Sequence, residues 1–167
     1  ILLLVGFTSF PSNIYAEEDK TPYELAYTTY LDQLSKYQVV HQDYILRKSQ
    51  YESFGTLQSQ QDLQVVLVKM LQERDETVVA YLKAIRERVN ENPGIDQLVK
   101  DSLNARIDTE LSWFSGHKSN IPTAGSLRDL STDSGLAMKE YDNAQPVFYE
   151  SIASVSSGKF TDLDKRL

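Results

Sequence analysis

The sequence between Pro22 and Pro93 contains a single glycine and no proline, and this long uninterrupted stretch constrains the fold more than any other feature. Thr21 offers a helix cap, Pro22 suits the first helical position, and Glu24 completes a capping box. We therefore predict a first helix from Pro22 to the residue before Gly55, because glycine readily takes the backbone conformation that ends a helix.

A second helix is predicted over residues 57–90, where the Asn92-Pro93-Gly94 signal stops it. Two helices of about 30 residues each span roughly 50 Å at 1.5 Å per residue. Because only a short turn joins them, they are expected to fold back against each other as antiparallel neighbours.

The rest of the chain predicts two more helical regions. The third helix covers residues 95–114 with Gly116 as its terminator, and residues 117–125 (HKSNIPTAG) predict a loop. Ser126 then caps a fourth region that ends just before Gly158.

Two residues are expected to interrupt the fourth region: Gly135 weakens it, and Pro146 kinks or breaks it. Residues 161–164 are predicted to begin a further helix. Like the preceding helices, the fourth region has apolar residues at helical spacing.

Apolar side chains in the second helix follow a period near 3.6 with one polar interruption. The stripe consists of Leu63, Leu67, Leu71, Arg74, Val78, Leu82, Ile85 and Val89. Strand-like alternation is absent, so we predict an all-α fold: an elongated antiparallel bundle of about four helices with coiled-coil-like seams. Exposed ion pairs four residues apart are expected to support the helices: Asp32–Lys36, Asp43–Arg47 and Asp96–Lys100.

Residues 1–16 carry no charge, and an apolar run there is followed by Pro11 and a small residue, Ala16. This pattern is typical of the back half of a secretory signal, here truncated, with cleavage after Ala16. An uncleaved membrane anchor is the alternative, and a second span beyond Leu167 would fit it. Residues 17–167 are predicted to form one helical bundle that is itself truncated at its C-terminal end.

The chain has a formal net charge of −7 and no cysteine. No basic cluster is present that could neutralise phosphates, which argues against nucleic acid as a partner. The absence of cysteine excludes disulfides and thiolate metal sites. An exported chain without cysteine favours a bacterial source.

Tyrosines recur every seven residues in the first helix, at Tyr23, Tyr30, Tyr37, Tyr44 and Tyr51. A seven-residue repeat places these five rings along one side of the helix. Their main interpretation is core packing, with the hydroxyls reaching the edge of the seam. The alternative is an aromatic stripe that contacts a partner or a glycan.

Arg74 lies within the apolar stripe of the second helix and therefore needs a carboxylate partner or an outward path for its guanidinium. Fold specification is its main interpretation, and contact with a ligand carboxylate is the alternative. His41 lies in the tyrosine seam without a second histidine nearby, so no metal site is predicted.

No constellation of residues predicts catalysis. Ser-x-x-Lys occurs twice, at Ser115–Lys118 and Ser156–Lys159, without the companion motifs that would give it meaning. A phosphate-binding loop and a nucleophile elbow are absent from the sequence. The chain is therefore predicted to be a non-enzyme that carries no cofactor.

The region from Tyr44 to Gly94 resembles uncharacterised exported helical proteins of candidate phyla radiation bacteria. The similar features are the Y-x-x-F-x-T-L-x-S-Q turn, the Arg74-Asp75 pair and Tyr81-Leu82. The turn is formed by Tyr51, Phe54, Thr56, Leu57, Ser59 and Gln60. The resemblance implies export from a bacterium with a small genome, and it carries over no activity and no site residue.

The leading functional hypothesis is a non-enzymatic extracytoplasmic module that binds or scaffolds another protein or envelope component at the cell surface. A membrane-tethered bundle that senses a ligand through Arg74 and the tyrosines is the second hypothesis. A periplasmic holdase fits the elongated shape, but an acidic chain offers no electrostatic attraction to acidic clients.

Overall fold

The computed structural model describes residues 20–166, which form four long α-helices and one short 3-10 turn. They are α1 (Pro22–Phe54), α2 (Leu57–Asn90), α3 (Gln97–Asn120), the turn at Ile121–Thr123, and α4 (Leu127–Arg166). No strand occurs within residues 20–166, and the predicted all-α bundle of about four antiparallel helices is confirmed. The predicted leader, residues 1–16, lies outside the described range.

The boundaries of α1 follow directly from its capping residues. Thr21 Oγ1 accepts a hydrogen bond from the Glu24 amide at 3.2 Å, and the Glu24 carboxylate accepts one from the Thr21 amide at 2.9 Å. At the other end Gly55 takes φ 58°, and its amide donates to the Tyr51 carbonyl at 2.9 Å. Both predicted ends of this helix are confirmed because a capping box and a left-handed glycine satisfy the terminal backbone groups.

The buried side of α2 forms the centre of the bundle, because α2 packs against all three other helices. Its fully buried positions include Leu71, Asp75 and Leu82, whereas 20% of the Arg74 side chain remains exposed. The predicted stripe therefore has the correct period, but its deeply buried polar member is Asp75 rather than Arg74. Two core clusters flank this position, one around Leu71, Ile121 and Leu130 and the other around Leu82, Ile107, Phe114 and Phe148.

The predicted end of α3 at Phe114 is wrong, since the helix continues through Gly116 to Asn120. The extra turn carries two side chains that pair with α2. His117 Nδ1 lies 2.5 Å from Asp75 Oδ2, and Lys118 Nζ lies 2.6 Å from Glu76 Oε2. These tertiary contacts outweigh the small helical penalty of one glycine, which is about 1 kcal/mol.

The predicted interruptions of α4 are also wrong, because the helix runs through Gly135, Pro146 and Gly158. Ala144 is buried just before Pro146, and Val147 and Phe148 are buried just after it, so packing on both sides holds the helix together there. Gly158 is required for close approach rather than for termination. A Cβ at Gly94, in the turn between α2 and α3, would lie 1.8 Å from the Gly158 carbonyl oxygen.

Exposed ion pairs contribute less than the sequence predicts. Among the described residues, Asp43–Arg47 is the one predicted pair that forms, at 3.4 Å. Lys100 instead donates to the Asn90 carbonyl at 2.9 Å, and Asp96 caps α3 through the Leu98 amide. No helix within residues 20–166 is both long and apolar enough to cross a membrane.

Candidate functional site

A groove runs between α1 and α4 along the surface of α2. Its walls are residues 23–37 of α1 and 137–159 of α4, and its floor is residues 74–88 of α2. It forms because α1 packs along α2 without packing along α4, while α4 packs on α2 and α3. The floor spans about 21 Å at 1.5 Å per residue. We call this feature the α1–α4 groove.

Four aromatic rings lie in sequence from α1 through α2 to α4, and we call this set the aromatic bridge. Ring centroids are 5.1 Å apart for Tyr30–Tyr81, 5.5 Å for Tyr81–Phe148 and 5.6 Å for Phe148–Tyr141. Burial, together with the neighbouring tyrosines, raises the pKa of Tyr81 and of Tyr30. Both phenols therefore stay neutral at physiological pH. Tyr30 and Tyr81 line one cavity of the groove, and Tyr141 lines another.

The larger cavity, which we call the tyrosine cavity, has a volume of about 490 Å³ and lies beside the start of α1. Tyr23 and Tyr27 stack there with centroids 5.7 Å apart, and the Tyr27 ring lies 5.9 Å from that of Tyr30. The Arg88 guanidinium carbon lies 4.6 Å from the centroid of the Tyr23 ring. The cavity therefore combines a continuous aromatic wall with a cation, an arrangement of cation–π type.

The smaller cavity, which we call the central cavity, has a volume of about 300 Å³. Leu34 and Tyr37 line it from α1, Val78 from α2, and Met138 and Tyr141 from α4. Its surface is almost entirely apolar, which suits an aliphatic or aromatic side chain better than a charged group.

The predicted ladder of Tyr23, Tyr30, Tyr37, Tyr44 and Tyr51 lies on one side of α1, and all five rings are half-buried. Their surroundings differ along the helix. Tyr23 and Tyr30 line the tyrosine cavity, and Tyr37 lines the central cavity. Tyr37 and Tyr44 pack against the core, with the His41 ring between them at 5.5 and 6.1 Å. Core packing and groove lining are thus combined in one ladder.

Arg74 reaches the central cavity, but its donors are engaged by its own chain. Its Nε and Nη2 atoms each lie 3.4 Å from Asp75 Oδ1, and Nη1 donates to Ser134 Oγ at 3.0 Å. The carboxylate partner that the sequence requires is therefore its immediate neighbour. A ligand carboxylate at Arg74 would have to compete with these bonds.

Asp75 and His117 form a buried pair that the sequence reasoning missed. The indole ring of Trp113 stacks on the imidazole at 4.9 Å with an interplanar angle of 9°. Burial raises the pKa of Asp75, while the hydrogen bond from His117 and the charge of Arg74 oppose this shift. His117 Nε2 is buried and has no hydrogen-bond partner among the described residues. The pair joins α3 to the buried side of α2.

Four polar residues of the tyrosine cavity were likewise not predicted as lining residues: Arg88, Ser151, Ser156 and Lys159. Arg88 had a usable signal, because it follows Tyr81 by seven residues and shares a side of α2 with it. Ser151 and Lys159 belong to another helix and meet Arg88 only through the tertiary fold. No group of three or more His, Cys, Asp or Glu side chains able to hold a metal ion occurs within residues 20–166.

The fold and the groove together define a class of protein: an α-helical bundle with an aromatic-lined groove on one side. Comparison with protein-family models found no match, and comparisons with curated proteins and with solved structures found none either. The geometry of the groove is therefore the basis for the functional argument.

Proposed function

We propose that the chain is a non-enzymatic, extracytoplasmic helical module that binds another protein at the cell surface through the α1–α4 groove. The observation that carries this proposal is the groove itself, a long concave surface lined by aromatic side chains that α1 and α4 leave open. The fully buried carboxylate of Asp75 is engaged by Arg74 and His117 of the same chain, which supports a binding role over a catalytic one.

The occupant that fits this shape is an amphipathic helix of the partner. Helices are recognised by laying their apolar face into a hydrophobic groove and inserting a few anchor side chains. The two cavities are centred about 13 Å apart along α2, or roughly two to three helical turns. We therefore expect two apolar anchors at that spacing, one for each cavity.

The charge of the chain restricts the solvent face of the partner helix. A net charge of −7 favours a basic or neutral helix over an acidic one. The end of the groove near Arg88 and Lys159 is the exception, because two cations meet there. An acidic residue is accordingly expected at one end of the partner helix.

The test is a selection of helical peptides from a displayed library, followed by affinity measurements on matched variants. Met138→Glu and Ile152→Glu place a charge on the α4 wall, at side chains that are 65% and 50% exposed. Val65→Glu makes the same change at a 70% exposed residue of α2 that does not line the groove.

We expect selected peptides to bind with micromolar dissociation constants and to contain two apolar anchors two to three turns apart. Each groove variant should weaken binding at least tenfold, or about 1.4 kcal/mol, and the Val65 variant should not. Peptides without paired anchors, or equal losses for all three variants, would contradict the proposal.

The proposed location outside the cytoplasm has a separate test. Full-length protein is expressed in a bacterial host, and its intact mass and membrane partitioning are measured. A soluble exported species that begins at Glu17 is the expected result. An uncleaved species that remains with membranes would contradict secretion and favour a tethered protein.

Ligand sensing by a membrane-tethered bundle is the second candidate function, and the central cavity is the observation that favours it. A volume of about 300 Å³ is at the lower end of the range for small-molecule sites. Because the donors of Arg74 are engaged, the structure favours an apolar ligand there over a carboxylate. Saturable binding of a small apolar probe that Met138→Glu removes, together with membrane retention, would support this function.

A further inference from the structure

We propose that the tyrosine cavity binds a small aromatic carboxylate that carries a polar group at the far end of its ring. This site does not depend on the proposed protein interaction, because it rests on the lining of one cavity. Its volume of about 490 Å³ lies within the usual range for small-molecule sites. Three features of the lining define the ligand: a cationic end, an aromatic middle and a buried hydroxyl.

The cationic end is formed by Arg88 and Lys159, which lie at the same end of α2 and α4. Arg88 is oriented by the Tyr23 ring, and no ion pair engages its guanidinium within the described part of the chain. Arg88 and Lys159 also line a smaller neighbouring pocket with Glu91 and Asp162, and Glu91 Oε1 accepts a hydrogen bond from the Tyr23 amide at 2.7 Å. An oriented guanidinium without a carboxylate partner, in a chain of net charge −7, favours an anionic ligand group.

The aromatic middle is formed by tyrosine rings beside Ala84 and Ile85 of the groove floor. Tyr27 keeps 41% of its surface exposed at the cavity wall, and Ala84 leaves space in the floor. Aromatic rings gain most from offset-stacked or edge-to-face partners, which favours a planar ligand over a flexible chain.

The buried hydroxyl is that of Ser151, whose side chain is 0% exposed. Ser151 is one of the residues that line the cavity, and its buried Oγ has no hydrogen-bond partner among the described residues. An unpaired buried polar group is costly, so a ligand oxygen that accepts from it would gain affinity. Ser151 precedes Lys159 by eight residues, or about 12 Å along α4, which sets the approximate length of the ligand.

The experiment measures binding of 3-(4-hydroxyphenyl)propionate by calorimetry to the chain and to three variants. We expect a dissociation constant of about 1 mM or lower for this small ligand. Arg88→Gln should weaken binding about tenfold, because a charge-assisted hydrogen bond is lost. Lys83→Gln removes the same charge from an exposed residue of α2 outside the cavity and should leave binding unchanged.

A second comparison isolates the hydroxyl. Ser151→Ala should weaken binding of 3-(4-hydroxyphenyl)propionate about fivefold and leave binding of 3-phenylpropionate unchanged, because the latter has no ring oxygen. The uncharged analogue 3-(4-hydroxyphenyl)propan-1-ol should bind at least tenfold more weakly than the acid. Absence of binding, equal affinity for the alcohol, or equal effects of the Arg88 and Lys83 variants would overturn the proposal.

Discussion

Replacing Gly158 with alanine in α4 has two opposing effects on the free energy of unfolding. In an ordinary helix interior, Gly→Ala stabilises by about 1 kcal/mol. At Gly158, however, a Cβ would lie 2.7 Å from Asn92 Oδ1 and 2.8 Å from Ile95 Cγ1. Relieving this overlap costs about 1–3 kcal/mol. Displacing Asn92 also breaks its 2.7 Å hydrogen bond to the Val155 carbonyl, which contributes about 1 kcal/mol.

The expected net result is a decrease of about 1–3 kcal/mol in the free energy of unfolding, measured by urea denaturation followed by circular dichroism. Gly135→Ala is the matched control in the same helix, because its Cβ would meet nothing within 4 Å. That variant should gain about 1 kcal/mol. If Gly158→Ala were stabilised like the control, α4 would not approach the turn at Gly94 as described.

Three further substitutions test the core, the electrostatics and a helix cap. Asp75→Ala should lower the free energy of unfolding by about 3–5 kcal/mol, because it leaves His117 and Arg74 without their buried acceptor. The double variant Asp75→Ala/His117→Ala should lose less free energy of unfolding than the two single variants lose together, as measured in a double-mutant cycle. Burial, with a smaller effect of Glu140, raises the pKa of Glu110, so its stabilising contribution is present below about pH 4 and lost as pH rises. Glu110→Gln should therefore stabilise at pH 7, by about 1 kcal/mol, and less at pH 4; a pH-independent difference in urea unfolding would contradict this. Thr56→Ala should cost about 1 kcal/mol in the same assay, because the Thr56 hydroxyl caps α2 by accepting from the Ser59 amide at 3.1 Å.

The sequence predicted the fold well wherever local signals determine structure. The ends of α1 and the start of α2 depend on residues within one turn, namely Thr21, Glu24, Gly55 and Thr56. Such signals act over three or four residues and can be read without knowing the tertiary fold. The helix count and the all-α class followed from the same signals together with the apolar period.

The predictions were wrong where the role of a residue depends on tertiary contacts and not on its residue type. Gly116 and Gly158 were interpreted as terminators, although one lies in an open helical position and the other permits close backbone packing. The predicted loop at His117 follows from reading Gly116 as a helix terminator, and the partner that keeps His117 helical, Asp75, is 42 residues away. A sequence pattern does not reveal such distant contacts. For the same reason, the position of Ser151 in the tyrosine cavity was not predicted.

The open groove follows from the way both of its walls are attached to α2. Gln33 on α1 donates a hydrogen bond to Glu73, and the Tyr30 ring packs against the Tyr81 ring in a tilted arrangement, so α1 is fixed directly on the floor helix. The α4 wall is fixed independently. Asn92, in the turn that follows α2, donates a hydrogen bond to the Val155 carbonyl of α4. Because neither wall depends on direct packing against the other, the width of the groove is set by α2 and not by closure of α1 onto α4. A ligand or partner helix would therefore enter a largely preformed site, which reduces the ordering cost of binding.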